Sequence, residues 1–478
     1  MSIESIAQTE KEFFLTSSKC KKDNKTLLTD LYQITMNAAY LDSGRDNETA
    51  TFDLFIRKLP KDRGYFLAAG LEDVISYVKD IQFDETDVSY LRAQGLFKEE
   101  FLESLKDFRF TGDIYAVPEG TPIFANEPIV RVTAPRMEAQ FIETFLLNVI
   151  NFQTMIATKA SRVVEAAKGR AVIDFGLRRA HDNSAGMKGA RSAYIAGAVG
   201  TSNVLAGKEY GIPIKGTHAH SFVMSFDEEI DAFRAYAKTF PDTATLLIDT
   251  YDVMRGAKNS ATVAKELEAK GHRLFAVRLD SGDLTGDSIR IRKYFDSIGL
   301  GYVKIVASND LNEYKIEEML AQGARIDSFG VGTEMITSKD CPAVSGVYKL
   351  SESEEGGRLE AKIKLSEGKK TLPGRKQVYR FSDSNGNYVR DVIALESETV
   401  EGEPLLVPVI QDGELVYNQP KLPDIQKRAK ELLARLPLQY KKIREPAQYP
   451  VELSRGISET IDVLTERYSQ KKTMEGEK

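Results

Sequence analysis

The stretch 215-KGTHAHSF-222 sets two histidines one residue apart behind a Gly-Thr step, in a chain with four histidines in all. Imidazole is the side chain best suited to move a proton or accept a phosphoryl group near neutral pH. No third histidine or cysteine stands at ligand spacing from the pair, so zinc is a poor occupant and a nucleophilic or acid/base histidine is the better reading. A lone histidine is more often a structural hydrogen-bond partner. Here the weight shifts because the pair closes a strand-like run, IPIKGT (212–217). If that strand continued through Thr217, alternation would send His218 and His220 to one side, whereas a loop would free them.

Other strand-like runs end in chemistry of the same kind. AVIDFG (171–176), ATLLID (244–249), FAVRLD (275–280), VKIVAS (303–308) and SFGVGT (328–333) recur with IPIKGT at intervals of roughly 25 to 40 residues. The intervals hold helix-like segments such as 259–271 and 309–323, the sequence form of β/α units and of parallel strands covered by helices. A doubly wound sheet offers one crevice, whereas here nearly every run ends in a polar or glycine cluster, so a ring of strands is expected. The ends supply Asp174, Phe175, Arg178 and Arg179, then Thr217, His218 and His220, then Asp249 and Asp252. Further on come Arg278, Asp280, Ser281 and Asp283, then Ser308, Asn309 and Asp310, and last Gly330, Gly332 and Thr333. Arginines, carboxylates and backbone-exposing glycines at one mouth suit a phosphosugar whose charge Mg²⁺ partly balances. The run 328-SFGVGTEM-335 fits a phosphate cradle, with a plain tight turn equally open. Adjacent arginines such as Arg178 and Arg179 are usually a solvated pair, and RLDSGD could serve to cap the next helix.

The bulk composition narrows the classes. The chain has 478 residues, 42% hydrophobic and 28% charged, with a formal charge of −6, which gives no footprint for nucleic acid. The first residues mix charge signs without an apolar core, and no run of about 18 apolar residues could span a bilayer. A cytoplasmic protein without membrane contact is expected. Cys20 and Cys341 lie far apart without metal or redox spacing and read as two unpaired thiols.

Around the β/α series the organisation is as follows. A polar arm occupies 1–26 and an N-terminal α/β domain 27–150. That domain opens on a helix over 27–44 with Leu27, Leu31, Ile34 and Ala38 on its apolar side, and continues into a hairpin-rich stretch at 112–135. One long or broken helix over 137–169 leads to the barrel at 151–345, and an appended β-rich and helical unit with a mobile tail fills 346–478.

The strings 174-DFGLRRAH-181, 202-SNVLAGKEYGIPIKGTHAHSF-222, 277-VRLDSGDL-284 and 329-FGVGTEM-335 closely resemble the nicotinate phosphoribosyltransferase family. So do 28-LTDLYQITM-36 and 364-KLSEGKKTLPGRKQVYR-380, and together these motifs cover nearly the whole chain in order. The resemblance implies an irregular (β/α) barrel of the type II phosphoribosyltransferase kind, with an open-faced β-rich N-terminal domain. It also implies a homodimer that shares its active sites. The implied reaction joins nicotinate to 5-phosphoribosyl 1-pyrophosphate (PRPP), with ATP as co-substrate acting through a phosphohistidine and with Mg²⁺ as cofactor. In the family pattern GTxAH the phosphorylated histidine is the last residue, so it maps onto His220, while His218 falls on the variable position and inherits no role. His220 is expected to be catalytic together with Asp280, a carboxylate read as lying near the ribose, where an oxocarbenium-like state would need it. The resemblance maps nicotinate onto Thr217, Arg278 and Tyr32, with Tyr32 reaching over from the partner subunit, and Phe175, Arg178 and Ser202 are expected to join them. It maps the phosphoribosyl group onto Thr333, which the strand-end residues Ser308, Asn309, Gly330 and Gly332 are expected to join, and no residue is assigned as a protein metal ligand. Nicotinamide-specific relatives carry an aspartate where Ser202 stands, which favours nicotinate here. Two rivals stay open at this point: a phosphosugar aldolase using Lys215 as a Schiff base, and a non-enzymatic nucleotide-binding protein on the same scaffold.

Overall fold

The computed structural model describes residues 24–366 and 369–476, with side chains as far as 470. All but the last three residues of the expected N-terminal arm lie outside the described residues.

Seven antiparallel strands form the N-terminal sheet. Their spatial order is β12 (Arg358–Ala361), β11 (Gly346–Glu355), β1 (Thr49–Ile56), β5 (Val130–Pro135), β3 (Asp113–Ala116), β16 (Val407–Gln411) and β17 (Glu414–Leu415). β1, TATFDLFI, is rich in aromatic and branched residues, and it is buried on both faces. On one face Phe52, Leu54 and Ile56 enter the first core. On the other, Asp53 meets Lys376 at 2.8 Å, each side chain 2% exposed. β11 pairs with β1 from Ala50↔Ser353 to Ile56↔Gly346, so the unit expected to begin at 346 opens with a strand that returns to the N-terminal sheet. The remainder of the C-terminal region builds a four-stranded sheet in the order β15 (Glu403–Pro404), β13 (Lys376–Ser382), β14 (Tyr388–Leu395) and β18 (Val451–Leu453). Two short strands, β2 (Phe66–Leu67) and β4 (Pro122–Ile123), pair with each other. Of the stretch expected to be a tail, 470–478, residues 470–476 end the helix Arg455–Gly476 and the last two lie outside the described residues.

The expected helix over 137–169 is broken at Ile142 into Arg136–Phe141 and Glu143–Ala166. The longer piece serves two cores, sending Phe145, Leu146 and Ile150 into the first and Ala157, Ala160 and Val163 into the second. Full burial of a leucine or isoleucine contributes about 1.5–3 kcal/mol, so this helix locks the two regions together. The expected helix over 27–44 spans Leu31–Asp42, and its inward face differs from the apolar stripe. Leu31 is 55% exposed while Gln33, Ile34 and Asn37 are buried. Gln33 donates to Glu143 at 2.9 Å and Asn37 to the Met137 carbonyl at 3.1 Å, which offsets part of the cost of burying these amides.

Five parallel strands form the second sheet, in the order β6 (Ala171–Asp174), β10 (Ser328–Val331), β9 (Lys304–Ala307), β8 (Ala276–Leu279) and β7 (Thr245–Leu247). Their inner residues, among them Val172, Leu246, Val277, Ile305 and Phe329, fill the second core. The expected strand at 212–217 shrinks to one bridge: Ile214 pairs with Thr201, which pairs with Asp174. Pro213 has no N–H to give a ladder, which limits pairing there. The close approach needs glycine, because a Cβ on Gly200 would lie 2.5 Å from the Pro213 carbonyl oxygen. The result is the barrel-like core of an α/β fold. No helix among the described residues is long and apolar enough to cross a membrane.

Candidate active site

Every group that converges on the site comes from the carboxyl end of a parallel strand or bridge. Arg278, near the end of β8, is the hub. It donates from Nε to Ser308 Oγ at 2.8 Å, from Nη1 to Thr217 Oγ1 at 2.9 Å and from Nη2 to Asp280 Oδ1 at 2.8 Å. Its guanidinium carbon lies 5.5 Å from the centre of the Phe175 ring. Five N–H groups minus these three leaves two for a ligand. Burial alone would raise the Asp280 carboxyl, but the Ser308 hydroxyl and Arg278 hold it below the ordinary carboxylate range. Asp280 is therefore ionised at neutral pH.

His220 opens a short helix, His220–Met224. Its Nδ1 is 3.1 Å from Thr250 Oγ1, and its Nε2 faces Asp249 Oδ1 at 3.8 Å and Asp280 Oδ2 at 3.9 Å. Asp249 is fixed through its other oxygen, which accepts from the Asp280 amide and the Ser281 hydroxyl, both at 2.7 Å. Asp249 Oδ1 is buried without a hydrogen-bond partner.

His218 goes elsewhere. Its ring is buried among Phe222, Phe233 and Tyr236, and burial drives its pKa down to about 4. The strand has ended before the pair, so the alternation that would have put both rings on one side does not apply. Asp174 is likewise internal: it is 1% exposed and accepts from Thr201 Oγ1 at 2.7 Å and the Gly176 amide at 2.8 Å. Its role is to hold the bridge that carries Ser202, whose amide donates to the Asp174 carbonyl at 2.8 Å.

The glycines divide by cause. A Cβ on Gly330 would lie 2.4 Å from two carbons of the Phe175 ring, so the bare position there makes room for an aromatic plate. Gly332 precedes the turn of helix at Thr333–Ile336. Asn309 and Asp310, exposed after Ser308, both adopt left-handed backbone, with φ of 84° and 46°. Such conformations are tolerated best by Asn and Asp, and two in succession mark a loop with a constrained shape.

Both loops are anchored from behind. Lys159, fully buried on the helix Glu143–Ala166, contacts Glu313 at 2.5 Å and Asp340 at 2.8 Å. Arg162 adds a bond to Glu313 at 3.0 Å and Arg63 one to Asp340 at 2.9 Å. Glu313 starts the helix after the Ser308 loop and Asp340 follows the Thr333 loop, so one lysine links the two.

The RLDSGD ambiguity resolves by position, since Asp283 caps the next helix through the Gly286 amide at 3.0 Å while Asp280 stays at the mouth. Asp252 is also a cap, accepting from Arg255 N–H at 2.7 Å. Arg178 and Arg179 are exposed in a single turn, Leu177–Arg179. Tyr32 is 46% exposed on the N-terminal helix beside Thr144 and Glu143, and no described contact joins it to Arg278 or Phe175 of the same chain. Lys215 is exposed and gives its amide to Thr201, which does not suit a buried Schiff-base lysine. Thr250 and Thr201 were not singled out from the sequence. The polar run DTYD after ATLLI was the available signal for Thr250.

Three family models match the chain: the nicotinate phosphoribosyltransferase N-terminal domain over 27–151, the nicotinate phosphoribosyltransferase family over 171–357, and its C-terminal domain over 399–461. The nicotinate phosphoribosyltransferase pncB2 of Mycobacterium tuberculosis is 46% identical over 432 residues, 90% of this chain and 91% of that one. The nicotinate phosphoribosyltransferase of Bacillus subtilis is 43% identical over 91% of this chain and 94% of its own length. The crystal structure of human nicotinic acid phosphoribosyltransferase superposes with a TM-score of 0.81 at 30% identity, covering 91% of this chain and 99% of that one. With such identity sustained over nine-tenths of its length, the chain belongs to the nicotinate phosphoribosyltransferase family.

Proposed function

We propose that the chain makes nicotinate mononucleotide from nicotinate and PRPP in NAD biosynthesis, and that ATP hydrolysis is coupled to this as in a ligase. The observation that carries the reading is the placement of Arg278. One guanidinium joins an aromatic plate and hydroxyl, Phe175 and Thr217, to a carboxylate and hydroxyl, Asp280 and Ser308, with His220 next to that carboxylate. A pyridine carboxylate would give its carboxylate to the two unspent N–H groups of Arg278 beside the Phe175 ring, with Ser202 in place of an acidic group that would repel it.

In the transfer step the pyridine nitrogen attacks the anomeric carbon as the bond to pyrophosphate breaks, and pyrophosphate departs with the electron pair. The sugar passes through an oxocarbenium-like state, and the ionised Asp280 is positioned to stabilise that positive charge. Asn309, Gly332 and Thr333 would meet the phosphoribosyl group. Gly330 would act through Phe175. Asp280 Oδ2 suits Mg²⁺, which commonly keeps one or two carboxylates and takes the rest of its shell from phosphates and water. Among the described residues there is no cluster of three such side chains to hold it alone. When bound, the ion would offset the charge of the pyrophosphate.

The ATP step is phosphoryl transfer to His220 with release of ADP, followed by hydrolysis to phosphate. The balance is nicotinate, PRPP, ATP and water to nicotinate mononucleotide, pyrophosphate, ADP and phosphate. The exposed Leu31 and Tyr32 of the N-terminal helix, with Leu28 in the turn before it, favour a homodimer in which Tyr32 meets the partner's site. Charged substrates such as PRPP and ATP favour a cytoplasmic enzyme.

Mononucleotide and pyrophosphate formation from nicotinate, nicotinamide and quinolinate, each with and without ATP, tests this. Only nicotinate should react well, with ATP raising turnover and His220→Ala abolishing both that gain and label uptake from γ-labelled ATP. Equal use of nicotinamide, or label retained in His220→Ala, would overturn the reading.

A further inference from the structure

The parallel order Ile214, Thr201, β6, β10, β9, β8, β7 leaves two edges, the 213–217 stretch and β7. Along β7 the amides alternate in direction. Ile248, just past the strand, donates to the Arg278 carbonyl of β8 at 3.1 Å, so the Leu247 N–H points the opposite way, toward the open edge. There it meets a side chain: it donates to His218 Nε2 at 3.2 Å.

This contact defines the state of the ring. Accepting at Nε2 puts the proton on Nδ1, which lies 3.4 Å from the Ala219 carbonyl oxygen. The ring is 7% exposed and packs edge-on to Tyr236 at 4.8 Å, with Phe222 at 5.4 Å. Its low pKa keeps it neutral and able to accept.

The neighbours of His218 are the residues that matter at the mouth. Thr217 takes the Arg278 N–H, and His220 reaches Thr250, three residues beyond Leu247. Residues 217, 218 and 220 thus bond to β8, β7 and the loop after β7 in turn. The middle tether is the one buried away from substrate.

We propose that His218 is a positioning residue whose neutral imidazole replaces the strand pairing missing between 213–217 and β7, and so holds Thr217 and His220 at the site. The kinetic consequences rest on the function proposed above, while the ring's protonation pattern does not.

The test compares His218→Gln, which carries an acceptor at the same bond distance from Cα as Nε2, with His218→Phe, which keeps an aromatic ring and loses the acceptor. Ring ¹⁵N spectra of the native protein should show one histidine unprotonated at Nε2 and neutral down to about pH 5. His218→Phe should raise KM for nicotinate about tenfold, the scale of one lost buried hydrogen bond, and slow label uptake at His220. His218→Gln should stay within about threefold of the native enzyme. The proposal is overturned if His218 proves protonated at Nε2, if a folded His218→Phe matches the native enzyme, or if His218→Gln is as impaired as His218→Phe at equal thermal stability. If His218→Phe does not fold, the spectrum and His218→Gln decide. A native protein that never takes label would defeat the phosphohistidine reading, and the spectrum and KM would still judge His218.

Discussion

Gly330→Ala should cripple nicotinate use without unfolding the protein. The added Cβ would stand 2.4 Å from Cδ2 and Cε2 of Phe175. Carbon atoms rest about 3.5–4.0 Å apart, so the ring must recede by about 1.2 Å. That ring faces Arg278 across 5.5 Å, so moving it changes the gap. A misplacement of about 1 Å costs on the order of 10²-fold in rate, close to 2.7 kcal/mol of transition-state stabilisation. Overpacking of this kind costs about 1–3 kcal/mol in stability, which a large α/β domain survives. The assay is kcat/KM for nicotinate at saturating PRPP, beside the urea midpoint. Adding Phe175→Leu should return part of the lost stability by vacating the space. Unchanged kinetics in a folded Gly330→Ala would refute the reasoning, and so would a defect confined to KM for PRPP, which would make Gly330 a phosphate cradle instead.

Ser202→Asp should lower kcat/KM for nicotinate on the order of 10²-fold while changing nicotinamide use far less, because a buried like-charge contact costs several kcal/mol. Equal kinetics on both substrates would show that the position selects nothing. Asp340 gives a pH prediction. Burial would raise its carboxyl, but Lys159 and Arg63 hold it at about 2, against about 4 in an unfolded chain. A depressed carboxylate stabilises the fold fully above pH 4 and loses that contribution as pH falls from about 4 to about 2, an effect on the order of 2 kcal/mol. Unfolding by urea should therefore show a gap between native and Asp340→Asn proteins that is constant from pH 7 to 5 and narrows toward pH 3. A gap that does not narrow would mean that the carboxylate is not held ionised by its partners.

The β/α series was legible because each core strand is a short apolar run, and the strand ends then point to the mouth by topology alone. The site's hub, Arg278 with Thr217, Asp280 and Ser308, follows from that logic, since three different strand ends supply it. Where the reading stopped short, the reasons are local. IPIKGT has the composition of a strand, yet Pro213 cannot donate, and the segment pairs through a single bridge. The helix at Leu31–Asp42 buries Gln33 and Asn37, because the Glu143 carboxylate, the Gln140 amide and the Met137 carbonyl bond to them and periodicity counts only apolar residues. Pairing of Gly346–Glu355 with β1 joins segments some three hundred residues apart, and no local pattern encodes that register. Thr250 and Thr201 escaped notice because a hydroxyl gains its meaning from the neighbour it meets in space.

Under the proposed ATP step, geometry also selects the nitrogen of His220 that would take the phosphoryl group. Nε2 faces two carboxylate oxygens, one of them the buried and otherwise unpaired Asp249 Oδ1. A ring proton on Nε2 is attracted by both. That leaves the lone pair on Nδ1, beside the Thr250 hydroxyl at 3.1 Å, and the lone pair is what attacks phosphorus. The product state agrees in sign. A phosphoryl group of about −1.5 to −2 charge on Nε2 would sit next to Asp249 and Asp280, where each pair of unit charges about 4 Å apart repels by roughly 4 kcal/mol at an effective dielectric of 20. On Nδ1 the same group displaces one neutral hydroxyl. The labelled enzyme should therefore carry its phosphorus on Nδ1, read from ³¹P–¹⁵N coupling with ring-labelled histidine. Asp249→Asn should weaken that preference and lower the yield of phosphoenzyme. Phosphorus found on Nε2 of the native enzyme would mean that the carboxylates turn away before ATP reacts, and the tautomer argued from their positions would fall with them.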